Sequence, residues 1–390
     1  MKRIALTALA IASVSAGVAH ADYQVSGVRK ANVGTLGGAE SMAYDVNNAG
    51  HIAGWAQDAS SVHRAFLHNG VMTDVGATLG AAPSEAYGIN NYDVVVGGWS
   101  DAFGRHGFRH DAGGLVELNL GAPLLNEVAG YATAINDAGQ IAGQRIYPDV
   151  DFAGFSVASL WSDVNTFVSL YPIPETEYMT TIVKDVDANG RGTGWDTDWH
   201  LSWIWDHNQT PALMYREVPP PATPAGYEWQ MNDTFGINSA HGVVGSATYL
   251  NNNTGNFIER AFIWNGVSAR PTLIGVLQGG TRSVAEDVNN GRFVAGWSER
   301  RVYAPANVAG LWDTAFIYHR DFGMYALPRA ANEHCRALAL NERGRGGVIR
   351  VVGYCEVAGV RRAVRWDVTV ANSLLPIRLL KTDREVADSQ

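Results

Sequence analysis

Along this chain, apolar and polar residues alternate in short runs of strand length, and turn residues separate the runs. The first clear unit shows the pattern. Ala43-Tyr44-Asp45-Val46 reads as a strand, and Asn47-Asn48-Ala49-Gly50 as a turn. Asn bonds its own backbone and tolerates positive φ, while Gly takes positive φ without steric cost. His51–Ala56 reads as a second strand with small residues at Ala53 and Gly54. Arg64–His68 is a third and Val71–Val75 a fourth, joined by the hairpin signal Asn69-Gly70. Helical periodicity is hard to find anywhere.

The unit recurs. Its turn residue is Asn47, Asn90, Asn136, Asp187, Asn238, Asn289 and Asn341, with gaps of 43, 46, 51, 51, 51 and 52 residues. A four-stranded propeller blade has that size, about 40–50 residues. One such sheet cannot bury both faces alone, but blades stacked radially can. The pattern therefore predicts an all-β, seven-bladed β-propeller of four-stranded antiparallel blades. In this reading, residues 22–390 form a single domain.

Both ends of the chain bear on how the ring closes. Met1–Ala21 has Lys2 and Arg3, an apolar Ile4–Val18 and the small-x-small site Ala19-His20-Ala21, the pattern of a secretory signal peptide cleaved after Ala21. The chain is expected in the periplasm or outside the cell, with no transmembrane segment, as a monomer. Tyr23–Gly38 reads as the end of a repeat, so the N-terminal strand is one candidate for closing the ring. Leu374–Leu380 is the other. The only two cysteines, Cys335 and Cys355, flank the first two strands of the last blade. In an exported chain they are expected to form a disulfide.

Charge adds an asymmetry. The formal net charge is −9. From Ile146 to Asp233 there are thirteen acids against Lys184, Arg191 and Arg216, whereas Trp297–Trp366 carries eleven arginines against six acids. The acidic balance argues against nucleic acid as a partner. The acidic arc also holds the long insertions and five of the twelve tryptophans. Trp203 and Trp205 align with Phe262 and Trp264 and read as core. Trp199, His200, Tyr215 and Trp229, with the carboxylates Glu175, Asp196 and Asp198, are the candidate ligand-binding set, because exposed aromatics stack on sugar faces and carboxylates bond hydroxyls. Loops on a rigid scaffold are where function concentrates.

Metal chemistry has one candidate. Asp185-Val-Asp187-Ala-Asn189-Gly190, with Asp196 at the twelfth position, is similar to a Ca²⁺ loop of alternating oxygen ligands. The equivalent turn Asp45–Gly50 has the same backbone pattern without the full ligand set. No zinc-protease, nucleophile-elbow, P-loop or dinucleotide motif is present. The acids at positions 45, 185 and 287 and the arginines at 64, 260 and 362 recur with the blade. They read as structural pairs or caps between strands.

The units AYDVNNAGHIAG (Ala43–Gly54), RAFLHNG (Arg64–Gly70) and VGTLGG (Val33–Gly38) resemble the HAF family of extracellular repeats. That resemblance implies a secreted or surface β-propeller and carries no catalytic assignment. The function expected is a non-catalytic binding or scaffold module for glycan or protein. The alternatives are a polysaccharide-active lyase or hydrolase using the acidic, aromatic loops of blades three to five, and a structural surface protein.

Overall fold

A computed structural model describes residues 22–121, 129–147, 155–170, 180–197, 201–206, 208–209, 214–302 and 310–373. It is a ring of seven four-stranded antiparallel sheets. The first strand of each blade lies innermost: Gly37–Val46, Ser84–Ile89, Ala129–Ile135, Thr181–Val186, Tyr227–Ile237, Ser283–Val288 and His334–Leu340. Each of these touches its counterpart in the next blade, and the seventh touches the first.

The N-terminal strand closes the ring. Asp22–Asn32 pairs antiparallel with Val360–Ser373 and becomes the outermost strand of blade 7. The rival segment, Leu374–Leu380, lies outside the described residues, as do residues 1–21. Cys335 and Cys355 sit directly opposite each other on the first two strands of the same blade and are disulfide-bonded. Among the described residues, no helix is long and apolar enough to cross a membrane.

Apolar packing falls between blades, with one buried cluster at each of the seven interfaces. Phe66 packs at the 7–1 interface, Phe108 at 1–2, Trp161 at 2–3, Trp203 and Trp205 at 3–4, Trp264 at 4–5, Phe316 at 5–6 and Trp366 at 6–7. Most of these come from third strands, so the large side chain of one blade fills the gap to its neighbour.

Polar groups hold the blades in register. Each turn asparagine bonds in two directions. Its carbonyl oxygen accepts from the backbone N–H four residues on, or nine on at Asn341, closing its own turn at 2.7–3.1 Å. Its amide nitrogen donates to the carbonyl of the equivalent residue in the next blade at 2.7–3.2 Å. The last of these runs from Asn341 to Asn47, so the belt is circular. Blade 4 has Asp187 instead, which cannot donate. There Arg191 is paired with the Asp187 carboxylate and itself donates to the Asn238 carbonyl at 3.3 Å. An aspartate–arginine pair thus does what one asparagine does in the other six blades.

Two outcomes test this bonding. Arg191→Val strands a buried carboxylate and should cost about 3–5 kcal/mol. Adding Asp187→Asn, which restores the motif of the other blades, should recover most of that loss in urea denaturation. If the double variant is no more stable than the single one, the adaptor role is wrong. Reducing the disulfide should lower stability by up to about 3 kcal/mol, the chain-entropy value for a loop of this length, and Cys335→Ser with Cys355→Ser should match the reduced protein.

Candidate functional site: the axial funnel

Each inner strand carries a β-bulge at one place. In blade 1 the register runs Ala43↔Gly54 and then Asp45↔Ala53, leaving Tyr44 unpaired. The same step occurs before the turn residue in all seven blades. A bulge adds one residue to one strand and re-aims a side chain. The glycine opposite makes room for it. A Cβ on Gly54, Gly97, Gly143, Gly194, Gly245, Gly296 or Gly353 would lie 1.7–2.2 Å from a carbonyl oxygen of the bulged strand. No side chain fits there, which explains why the second strand of every repeat carries this glycine.

The seven bulge residues are Tyr44, Tyr87, Thr133, Lys184, Phe235, Glu286 and Leu338. All of them line one cavity on the ring axis, of about 430 Å³. Ligand sites fall in the range of about 300–1,000 Å³. Tyr131, Gln144, Trp195 and Arg105 complete the wall. The Tyr44 and Tyr87 rings are 4.9 Å apart, and Tyr87 and Tyr131 are 5.9 Å apart. The Arg105 guanidinium lies 3.9 Å from the Tyr131 ring centre and donates to the Tyr87 hydroxyl. That hydroxyl donates in turn to Glu85. Trp195 meets Phe235 edge-on at 5.4 Å. Gln144 is buried and donates to the Val183 carbonyl at 2.9 Å, while its side-chain oxygen has no partner among the described residues.

Three carboxyls form the floor. Asp45, Asp185 and Asp287 line both this funnel and a shallower polar cavity at the turn end, so they lie between the two openings. Each bridges two blades. One oxygen accepts from the following backbone N–H at 2.6–2.7 Å and the other from an N–H of the next blade at 2.8–2.9 Å. The expectation of caps between strands describes this bonding. Arg64 is likewise structural: it pairs with Asp74 and donates to the carbonyls of Gly76, Gly80 and Ala82.

Burial outweighs these hydrogen bonds and disfavours the charged form. It raises Asp45 from 3.8 to about 6 and Asp185 to about 7. Asp287 is raised well above its ordinary value by burial and then by the neighbouring Asp185. Burial also raises Glu286, against an opposing pull from Lys184. The wall phenols respond the same way, with Tyr44 pushed up to about 12.

The candidate set read from the sequence is distributed differently. Tyr215 lies on the outermost strand of blade 4, opposite Trp205 and packed against the 3–4 core. Trp229 lies near the start of the blade 5 inner strand, packed against the 4–5 core with its indole N–H unpartnered. Asp196 is buried at the end of its strand, and its carboxylate accepts from the Leu201 N–H at 3.2 Å. None of these three lines the funnel. Glu175, Asp198, Trp199 and His200 lie outside the described residues.

In the turn similar to a Ca²⁺ loop, both oxygens of Asp187 are bonded. One accepts from the Asn189 and Arg191 N–H groups, and the other is paired with the Arg191 guanidinium. The Asp187 carboxylate is therefore engaged by a guanidinium. Asp185 points into the axis instead, and the Asn189 amide reaches the Ser239 carbonyl at 3.5 Å. Among the described residues, the one gathering of three His, Cys, Asp or Glu ligand atoms is Glu333 with Cys335 and Cys355, and its two sulfurs form the disulfide.

Sequence reasoning missed the bulge position. Its signal is variability inside a constant frame. The residue one before the turn is always Val, Ile or Leu, and the residue four before is Ala, Val or Thr. The residue three before is Tyr, Tyr, Thr, Lys, Phe, Glu or Leu.

No protein-family model matches the chain, and neither does any curated protein. Solved structures that align with it include a candidate gluconolactonase at 10% identity, covering 90% of this chain and 95% of that one, with a TM-score of 0.35. Another is a post-proline cleaving enzyme from Rickettsia typhi at 6% identity, covering 83% of this chain and 58% of that one, with a TM-score of 0.37. Likenesses this remote do not bear on ligand or chemistry. The fold and the funnel define the chain as a seven-bladed β-propeller with an axial cavity.

The floor carboxyls make stability depend on pH. A carboxyl raised on folding holds its proton in the native state, so stability present below about pH 4 is lost as pH rises through the folded values, here 6 to 7 and above. The loss is about 1.4 kcal/mol per pH unit for each group over that window. Asp185→Asn removes one such group. Its stability relative to the parent should therefore improve steadily from pH 4 to pH 7, whatever its fixed penalty from lost hydrogen bonds. A difference that stays flat over that range contradicts the assignment.

Proposed function

We propose that the chain is an exported binding module that takes carbohydrate in its axial funnel. The observation that carries this reading is the convergence of all seven bulge residues on one cavity, with aromatic rings on the wall and hydrogen-bonding groups between them. Ring faces stack on the C–H faces of a sugar. Gln144, Thr133, Lys184 and the floor carboxyls offer donors and acceptors for hydroxyls. The wall is built on paired inner strands of a closed ring, which limits the entropy cost of ordering the site. Export through a signal peptide cleaved after Ala21 is part of the reading, and the disulfide is compatible with an oxidising compartment.

A second reading, a carbohydrate-active enzyme, is favoured by one observation. Glu286 and Asp185 face the same cavity with raised proton affinity, a condition suited to general acid work. Against it, each floor carboxyl is already bonded to two backbone N–H groups. A glycan array scored for both retention and released sugar ends separates the readings. Retention without product is expected, and Phe235→Ala or Tyr44→Ala should weaken it by about tenfold each, a loss of about 1.4 kcal/mol. Unchanged retention in both variants would place the ligand elsewhere, and product release lost in Glu286→Gln would establish the enzyme.

A further inference from the structure

The charges facing the funnel do not cancel in the way their number implies. By count it is acidic: Asp45, Asp185, Asp287 and Glu286 face Lys184 and Arg105. Geometry divides these groups into two kinds. The three floor aspartates are tied to the scaffold, each through two backbone N–H groups. Glu286 is enclosed and accepts from the Trp297 indole N–H at 3.1 Å. The two cations are freer. Lys184 is exposed within the cavity and forms no ion pair among the described residues. Among the described residues, Arg105 has no carboxylate partner in direct contact. Glu85 reaches it only through the Tyr87 hydroxyl, and Glu85 is also bonded to His63 at 3.2 Å. The two come from different blades, the second and the fourth, so their charges approach one cavity from separate walls.

Resting on the carbohydrate reading above, we propose that the funnel selects an acidic sugar, a uronate whose carboxylate is met by Lys184 and Arg105 while its ring packs against Tyr44, Tyr87 and Phe235. A guanidinium or ammonium without a carboxylate partner is an electrostatic deficit that an anionic ligand fills, with charge-assisted hydrogen bonds stronger than neutral ones. The scaffold-bound carboxyls fit this, because protonated carboxyls donate to hydroxyls and do not repel an anion. Burial keeps Asp287 and Glu286 toward the protonated form and sets Asp45 and Asp185 to ionise at about 6 and 7. The wall phenols stay neutral throughout, since burial raises Tyr44, Tyr87 and Tyr131 alike. Raising the pH therefore adds negative charge around the bound carboxylate, from the floor and from Glu286, and weakens binding.

The test uses the full chain and matched trimers: oligomers of glucuronic, galacturonic and mannuronic acid, each beside its neutral hexose counterpart, titrated by calorimetry at pH 5.5 and pH 8. At least one acidic trimer should bind about tenfold or more tightly than its neutral partner at pH 5.5, and that preference should shrink by about tenfold at pH 8. Lys184→Ala and Arg105→Ala should each abolish most of the preference, weakening the acidic trimer far more than its neutral partner, and Lys184→Arg should retain it. Neutral trimers binding as well as or better than acidic ones would overturn the uronate inference and leave the carbohydrate reading standing. No binding in any pair would overturn both. A preference that survives at pH 8 would remove the floor carboxyls from the account.

Discussion

Everything in this molecule depends on one side chain bonding in two directions. A turn asparagine closes its own turn with its carbonyl oxygen and reaches the next blade with its amide nitrogen. Seven such contacts in sequence make a belt at one end of the axis, where radial repetition leaves only short, protected inner edges. Buried polar groups are costly when unpaired and specific when satisfied. The belt therefore sets blade number and register more sharply than the apolar packing between blades can. Blade 4 supports this. When the donor is lost at Asp187, Arg191 supplies one, and the contact to Asn238 survives.

Above the belt, a glycine and a bulge create the site. Each glycine in the second strand accepts a carbonyl that a Cβ would exclude, which lets the inner strand hold one extra residue there. That residue is free of ladder pairing and faces the axis. The frame is constant and the residue it displays is not. The scaffold can thus present seven independent side chains to one cavity without altering the packing that holds it. Here it presents rings, a lysine, a glutamate and small residues over a carboxyl floor. Protein encloses that floor so closely that burial raises all three carboxyls, Asp45 to about 6 and Asp185 to about 7, which ties the cavity's charge to the pH of its surroundings.

The architecture was legible in the sequence because its determinants are local. The spaced turn residues, the Asn69-Gly70 hairpin and the third-strand aromatics each recur within one repeat, so the blade count and the core role of Trp203 and Trp205 could be read from them, while the Cys335–Cys355 pairing followed from the expected export of the only two cysteines. Ring closure was not legible. Both ends of the chain carry strand-like alternation, and only the pairing of Asp22–Asn32 with Val360–Ser373 decides between them. The site was legible only in part. Aromatic and acidic composition drew attention to the insertions of blades three to five, whereas the funnel is built from residues far apart in sequence. A bulge is a property of two strands in register, and neither strand alone records it. The aspartate-rich turn is read only in part for a related reason: Asp187 pairs with Arg191 and joins the belt, which periodicity alone does not show.

The central claim is that ligand enters the axis and not the insertions. Hydrogen exchange of the full chain, measured by mass spectrometry with and without a saturating acidic trisaccharide, tests this most directly. The account predicts new protection at the bulges of the inner strands, around Tyr44, Tyr87, Lys184, Phe235 and Glu286, from several blades at once. Protection confined to the segment from Asp196 to Trp229, with the inner strands unchanged, would contradict it.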